Sequence, residues 1–171
     1  MTRVAILDYG MGNLRSVGKA LEHVGAEPFL TSDHARVREA EAIVLPGVGA
    51  MPKAMERVRE LALDHLLRGP VDALEAPGLK VPQIGWNPVS WLRDSPLIAG
   101  LPAPCAFYHA NSFAPRPTDD DAVLGTAEYG TEFVSVVERA PVYGLQSHPE
   151  KSGPDGLRLL KNFVSLASAP R

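Results

Sequence analysis

The stretch Val4-Ala5-Ile6-Leu7-Asp8-Tyr9-Gly10-Met11-Gly12-Asn13 decides the fold. Four consecutive apolar residues suit a strand buried on both faces of a parallel sheet. A glycine-rich turn follows. Leu14, Val17, Leu21 and Val24 then fall at i, i+3, i+7 and i+10, which predicts a helix with one apolar face. Asn13 is placed to cap that helix and Gly25 to stop it. Outward from this unit the pattern repeats. Glu27 to Thr31 reads as a strand, Val37 to Ala40 as a short helix, and Ala42 to Leu45 as a third apolar run closed by Pro46-Gly47-Val48-Gly49. Met51, Met55, Val58, Ala62 and Leu66 place a further helix over 51–67. Strands alternating with helices imply a parallel sheet covered by helices, an α/β class.

The second half reads differently. From Gly69-Pro70 to Pro82 the chain is rich in proline and glycine and shows no strand-length apolar run. Phe107 to Phe113, Ala122 to Ala127, Phe133 to Val137 and Val142 to Gln146 read as strands joined by short turns. They suit antiparallel hairpins or an edge extension of the sheet. Leu157 to Leu166 reads as a closing helix.

Composition bounds the rest. The 171 residues carry 17 basic and 20 acidic side chains, a formal net charge of −3, with 45% apolar residues. One globular domain, residues 1–171, is expected. A pI near 5.9 and no Lys/Arg block argue against nucleic acid. No apolar stretch is long enough for a membrane span, and the N-terminal run is too short for a signal peptide. The one cysteine, Cys105, can form neither an internal disulfide nor a cysteine metal site. A cytoplasmic location is expected.

A few residues could carry chemistry. The Pro46-Gly47-Val48-Gly49 turn falls where a parallel strand should end, and its backbone N–H groups could face an oxyanion. It is equally a plain strand–helix turn. In Gln146-Ser147-His148-Pro149-Glu150-Lys151, Glu150 could orient His148 as in nucleophile–His–acid triads, or the segment could be a surface turn. His109 and Asn111 share one face of a predicted strand, beside Ser112. His23, His34 and His65 are assigned nothing. No residue set has metal-ligand spacing. Gly10-Met11-Gly12 lacks the third glycine of a dinucleotide fingerprint, and no phosphate loop is present.

Taken together, four segments resemble one family: VAILDYGMGNLRSV (4–17), IVLPGVGAMPKAMERV (43–58), GLKVPQIGWN (78–87) and VYGLQSHPEKS (142–152). The chain resembles the glutamine amidotransferase subunit of imidazole glycerol phosphate synthase, of histidine biosynthesis. Weaker similarity at 107–115 and 122–130 extends the match over nearly the whole chain. The resemblance implies a flavodoxin-like, three-layer class I amidotransferase fold. It implies a glutaminase whose Cys–His–Glu triad releases ammonia into a (β/α)8-barrel cyclase subunit, with no cofactor. By motif, His148 would be the general base and Glu150 its orienting acid. Gly47, Val48 and Gly49 would form the oxyanion strand. Asn13, Trp86 and Lys151 would meet the cyclase.

The chain departs from that family in one decisive respect. The family's Gly-x-Cys-x-Gly-x-Gln elbow follows a buried strand beyond the 51–67 helix. Here that helix runs into Gly69-Pro70-Val71 and on to Gly78-Leu79-Lys80. About 30 residues, one central strand–helix unit, are missing. Cys105 has no strand–turn–helix elbow around it. The family also favours an aromatic residue at Ser147 and a histidine at Asn111. Without a nucleophile no thioester forms, so no glutaminase activity is expected.

The missing strand would expose inner sheet edges. The chain could close the gap, recruit Leu79–Ile84, or pair with a second copy as a homodimer. Two other readings stand beside a docking subunit. One is a small esterase-like hydrolase using His148 or His109 with Ser112 or Ser147. The adjacency of Ser147 and His148 gives poor geometry for it, because neighbouring strand residues face opposite ways. The other is a non-catalytic deletion product.

Overall fold

The computed structural model describes residues 1–8, 10, 12–47 and 71–169. The helix expected over 51–67, together with Val48 and Gly49, lies outside these. The chain divides into two compact units, Met1–Asp64 with Leu157–Arg171, and His65–Gly156. Each is described by itself.

In the first unit, strand β1 (Arg3–Leu7) lies between β2 (Glu27–Thr31) and β3 (Ala42–Val44), and both pairings are parallel. Val4 to Leu7 are all buried, as a strand covered on both faces requires. Helix α1 (Leu14–His23) ends in a Schellman motif. Gly25 takes φ +89° and donates to the Glu22 carbonyl, and Ala26 N–H donates to the Leu21 carbonyl. At the other end Asn13 occupies the N-cap position, but its side chain makes no capping bond; its carbonyl accepts from Val17 N–H. Helix α2 (His34–Arg38) begins three residues before the expected start. Asp33 caps it there by accepting from Ala35 N–H at 2.8 Å. Leu21, Ala20 and Ala26 pack with Val4, Ile6 and Ala42, joined by Leu160 and Val164 of α3 (Gly153–Ala167).

The second unit is antiparallel. A five-stranded sheet runs β10-β9-β8-β5-β6, with β5 (Gln83–Trp91), β6 (Cys105–Asn111), β8 (Val123–Tyr129), β9 (Thr131–Arg139) and β10 (Val142–Leu145). A short ribbon pairs β4 (Val71–Ala73) with β7 (Phe113–Pro115). The β4 strand lies in the stretch expected to hold none. Its three residues are exposed, so no apolar pattern announces them, and pairing with β7 alone makes them a strand.

The nine-residue β5 also escapes the sequence pattern, because Gly85 and Pro88 interrupt it. Pro88 is tolerated because the ladder to β8 starts only at Val89; at Pro88 the strand pairs on one side, with Ala106 of β6. Gly125 of β8 has a steric reason: a Cβ there would stand 2.9 Å from atoms of Trp91 and Val89. Recruitment of Leu79–Ile84 to fill the parallel sheet is not what the chain does. Ile84 pairs with Ala110 in β6, and Leu79 closes a turn by donating to the Ala76 carbonyl. Among the described residues, β3 pairs only with β1.

Leu21 is fully buried at the centre of the first unit's core. Leu21→Ala should therefore lower stability by about 2–5 kcal/mol, read as a reduced urea midpoint at unchanged slope.

Candidate functional site

The free edge of β6 is covered by the residues that follow β10. Gln146 N–H donates to the Ser135 carbonyl of β9 at 2.8 Å, continuing the β10 ladder. Ser147 then forms an isolated antiparallel bridge with His109, and His148 N–H donates to the Tyr108 carbonyl at 2.8 Å. One short segment thus touches β9 and then β6, and closes the five-stranded sheet on itself.

His148 stands at this seam. Pro149, Glu150 and Lys151 form a single 3-10 turn directly after it, with Pro149 setting the backbone for the first position. The turn brings Glu150 back to the imidazole, and His148 Nδ1 lies 3.0 Å from Glu150 Oε1. The carboxylate side chain is 4% exposed and the imidazole 21%. Burial would push the Glu150 carboxyl up. The His148 hydrogen bond, a backbone hydrogen bond and the charges of His148 and Lys151 outweigh it and hold the group below its usual range. A carboxylate on Nδ1 fixes the ring and leaves Nε2 as the nitrogen that can take up or deliver a proton.

Tyr108 lies beside the dyad, with ring centroids 6.4 Å from His148 and 6.3 Å from Trp86. The Lys151 ammonium sits 5.7 Å from the Tyr108 ring centre. Trp86, on the outer face of β5, is 58% exposed. Two residues expected at a partner surface, Trp86 and Lys151, are therefore linked through Tyr108 to the dyad. The local sequence does not mark Tyr108 or Ser152 as site residues. Alternation along β6 turns Tyr108 away from His109, the one signal available for it.

The remaining candidates are placed differently. His109 is fully buried; its Nδ1 lies 3.1 Å from the Phe107 carbonyl and its Nε2 2.9 Å from Ser135 Oγ. Burial pushes its pKa down, the Phe107 bond pulls it back in part, and the charge of His148 adds a lesser downward push. Ser147 is buried with no partner for Oγ, and Asn111 Oδ1 and Gln83 Oε1 are likewise buried and unpaired. Ser112 follows the end of β6, four residues beyond Tyr108, which is about 13 Å along an extended chain.

Gly47 is exposed just past β3, and Asn13 is half-buried at the start of α1. Cys105 opens β6, buried beside Val89. Burial, then the charge and hydrogen bond of Asp155, push its thiol up to about 12, the reverse of an activated nucleophile. Among the described residues, no group of three His, Cys, Asp or Glu side chains could hold a metal, and no helix is long and apolar enough to cross a membrane.

The chain is 38% identical over 203 aligned residues to imidazole glycerol phosphate synthase subunit HisH of Moorella thermoacetica, covering 97% of this chain and 96% of that protein. It is 37% identical over 211 to the subunit of the same name in Aromatoleum aromaticum, covering 98% and 100%. Among solved structures, PurLQS from Thermotoga maritima matches with a TM-score of 0.74 at 19% identity, covering 96% of this chain and 99% of that one. A glutamine amidotransferase matches at 0.69 and 18%, covering 97% and 99%. No protein-family profile matches the chain. The fold is that of the class I glutamine amidotransferases, mixed α/β and flavodoxin-like.

The Glu150 geometry sets a pH dependence. A carboxyl held below its ordinary value near 4.5 contributes stability that is full above that pH and lost as pH falls through the folded value. The stability difference between wild type and Glu150→Gln should thus be constant from pH 7 to 5 and shrink below 4.5. Urea unfolding at a series of pH values measures it; a difference that persists unchanged into acid would contradict the lowered Glu150 carboxyl.

Proposed function

Because the chain belongs to the HisH family of imidazole glycerol phosphate synthase subunits, we propose that it is a glutaminase-deficient member that keeps the acid–base pair and the surface for a (β/α)8-barrel cyclase. The observation carrying this reading is the state of Cys105, the chain's single cysteine. It is buried, and its thiol is pushed up to about 12. A family reaction that passes through a thioester needs a thiolate, which this residue cannot supply near neutral pH.

The length of the alignments supports the same reading. Coverage of 97% of 171 residues is about 166, against 203 aligned positions, so about 37 positions have no residue here. That is the size of one strand–helix unit. In this proposal residues 1–171 work as a single amidotransferase-like domain of the cytoplasm, without a cofactor. His148 and Glu150 are the retained pair, and Gly47, Val48 and Gly49 the retained oxyanion strand. Asn13, Trp86 and Lys151 meet the cyclase. The free edge of β3 among the described residues supports pairing with a second copy as a companion expectation.

The esterase-like alternative gains no support from the serines. Ser147 is buried, and Ser112 lies beyond the end of β6, four residues past the Tyr108 that His148 pairs with. His109 is sealed inside the sheet.

Ammonia release from glutamine, measured alone and with a cyclase barrel and its nucleotide ligand, tests the proposal. No release above the blank is expected, together with a stable complex of the two chains. Trp86→Ala should weaken that complex by at least about 30-fold, as truncation of an exposed aromatic anchor does. Cys105→Ser should change neither result. Glutamine hydrolysis that depends on His148 would overturn the reading, as would the absence of any complex at micromolar concentration.

A further inference from the structure

Ser152 is 2% exposed and carries no side-chain charge, yet its hydroxyl joins two strands of chain at the seam. Oγ donates to the His148 carbonyl at 2.6 Å and accepts from Tyr108 N–H at 3.0 Å. The Tyr108 carbonyl in turn accepts from His148 N–H at 2.8 Å. Both backbone groups of His148 are therefore tied to Tyr108, one directly and one through Ser152. Lys151 N–H also donates to the His148 carbonyl, at 3.0 Å. With its backbone held at both ends, the Cα–Cβ direction of His148 is set before the side chain makes any contact.

The far side of this clip is also fixed. Gly156 N–H donates to the Ser152 carbonyl at 3.2 Å. A Cβ on Gly156 would stand 2.1 Å from the Pro149 carbonyl oxygen and 2.8 Å from Ser152 Cβ. The first turn of α3 therefore presses directly on the turn that carries Glu150, and only glycine permits the approach.

We propose that Ser152 is the positioning residue of the His148–Glu150 pair, with its hydroxyl fixing the separation at which imidazole and carboxylate meet. The inference rests on reading those two residues as an acid–base pair. It deepens that reading by naming what holds them. Serine suits the place because one small hydroxyl donates and accepts at once. Alanine would leave the half-buried Tyr108 N–H without its Ser152 partner and the His148 carbonyl with one fewer. Among the described residues, the titratable groups against His148 are Glu150, bonded to Nδ1, and Tyr108 and His109 on β6, while the Lys151 ammonium lies over the Tyr108 ring.

The test reads the imidazole itself. Nitrogen-15 NMR of histidine-labelled full-length protein at one neutral pH gives the tautomer ratio of His148. The Glu150 bond favours the form with the proton on Nδ1. Ser152→Ala should cut that preference by at least about threefold, and Ser152→Thr, which keeps the hydroxyl, should restore it. Val164→Ala, a buried cavity substitution in α3, should lower stability and leave the ratio unchanged. If Ser152→Ala does not fold, Ser152→Cys takes its place, since a thiol donates weakly and reaches further.

A wild-type ratio in the hydroxyl-free variant would overturn the proposal. Glu150→Gln separates the two levels. If it leaves the ratio unchanged, the pair itself is misread. If it moves the ratio and Ser152→Ala or Ser152→Cys does not, only the positioning role fails.

Discussion

The seam of the second unit is set by one backbone hydrogen bond, from His148 N–H to the Tyr108 carbonyl. The strand order leaves β6 at an edge, and an open edge demands partners for its N–H and carbonyl groups. The segment after β10 meets that demand and so seals the sheet. Everything of chemical interest then follows from where the seal falls. It puts His148 at the surface side of β6 and Ser147 at its buried side. It also starts a 3-10 turn whose second residue is Glu150.

The seal also shows how the chain lives with its departures from the family pattern. Ser147 and Asn111 stand where the resemblance leads one to expect an aromatic ring and a histidine. Both side chains end in buried oxygens without hydrogen-bond partners. Each such orphan costs about 1–3 kcal/mol relative to a satisfied group. The His109–Ser135 hydrogen bond, spanning β6 and β9, is a satisfied polar contact in the same interior.

The parallel half of the fold was legible because its signals are local. Four apolar residues in a row mark β1, and Gly25 carries its own stop. The dyad was legible for the same reason: His148 and Glu150 are two residues apart. What escaped depends on distant partners. β5 contains Gly85 and Pro88, and it is a strand because β6 flanks it for seven residues and β8 for three. Likewise β4 exists through β7 alone. Tyr108 and Ser152 are separated by 44 positions, and nothing in either local sequence announces their hydrogen bond. The burial of His109 was hidden as well, since strand alternation gives a face but not which face is inside.

That interior imidazole gives the molecule a weakness of its own. His109 is held neutral by its surroundings, so folding excludes a proton that the unfolded chain accepts below its ordinary value of 6.5. As pH falls from 6.5 toward the lower folded value, the unfolded chain gains that proton and the folded chain does not. Stability drains away through mildly acidic conditions, well before Glu150 is affected. His109 and Glu150 thus set two separate acid thresholds, and the higher belongs to the residue that takes no part in the His148–Glu150 pair.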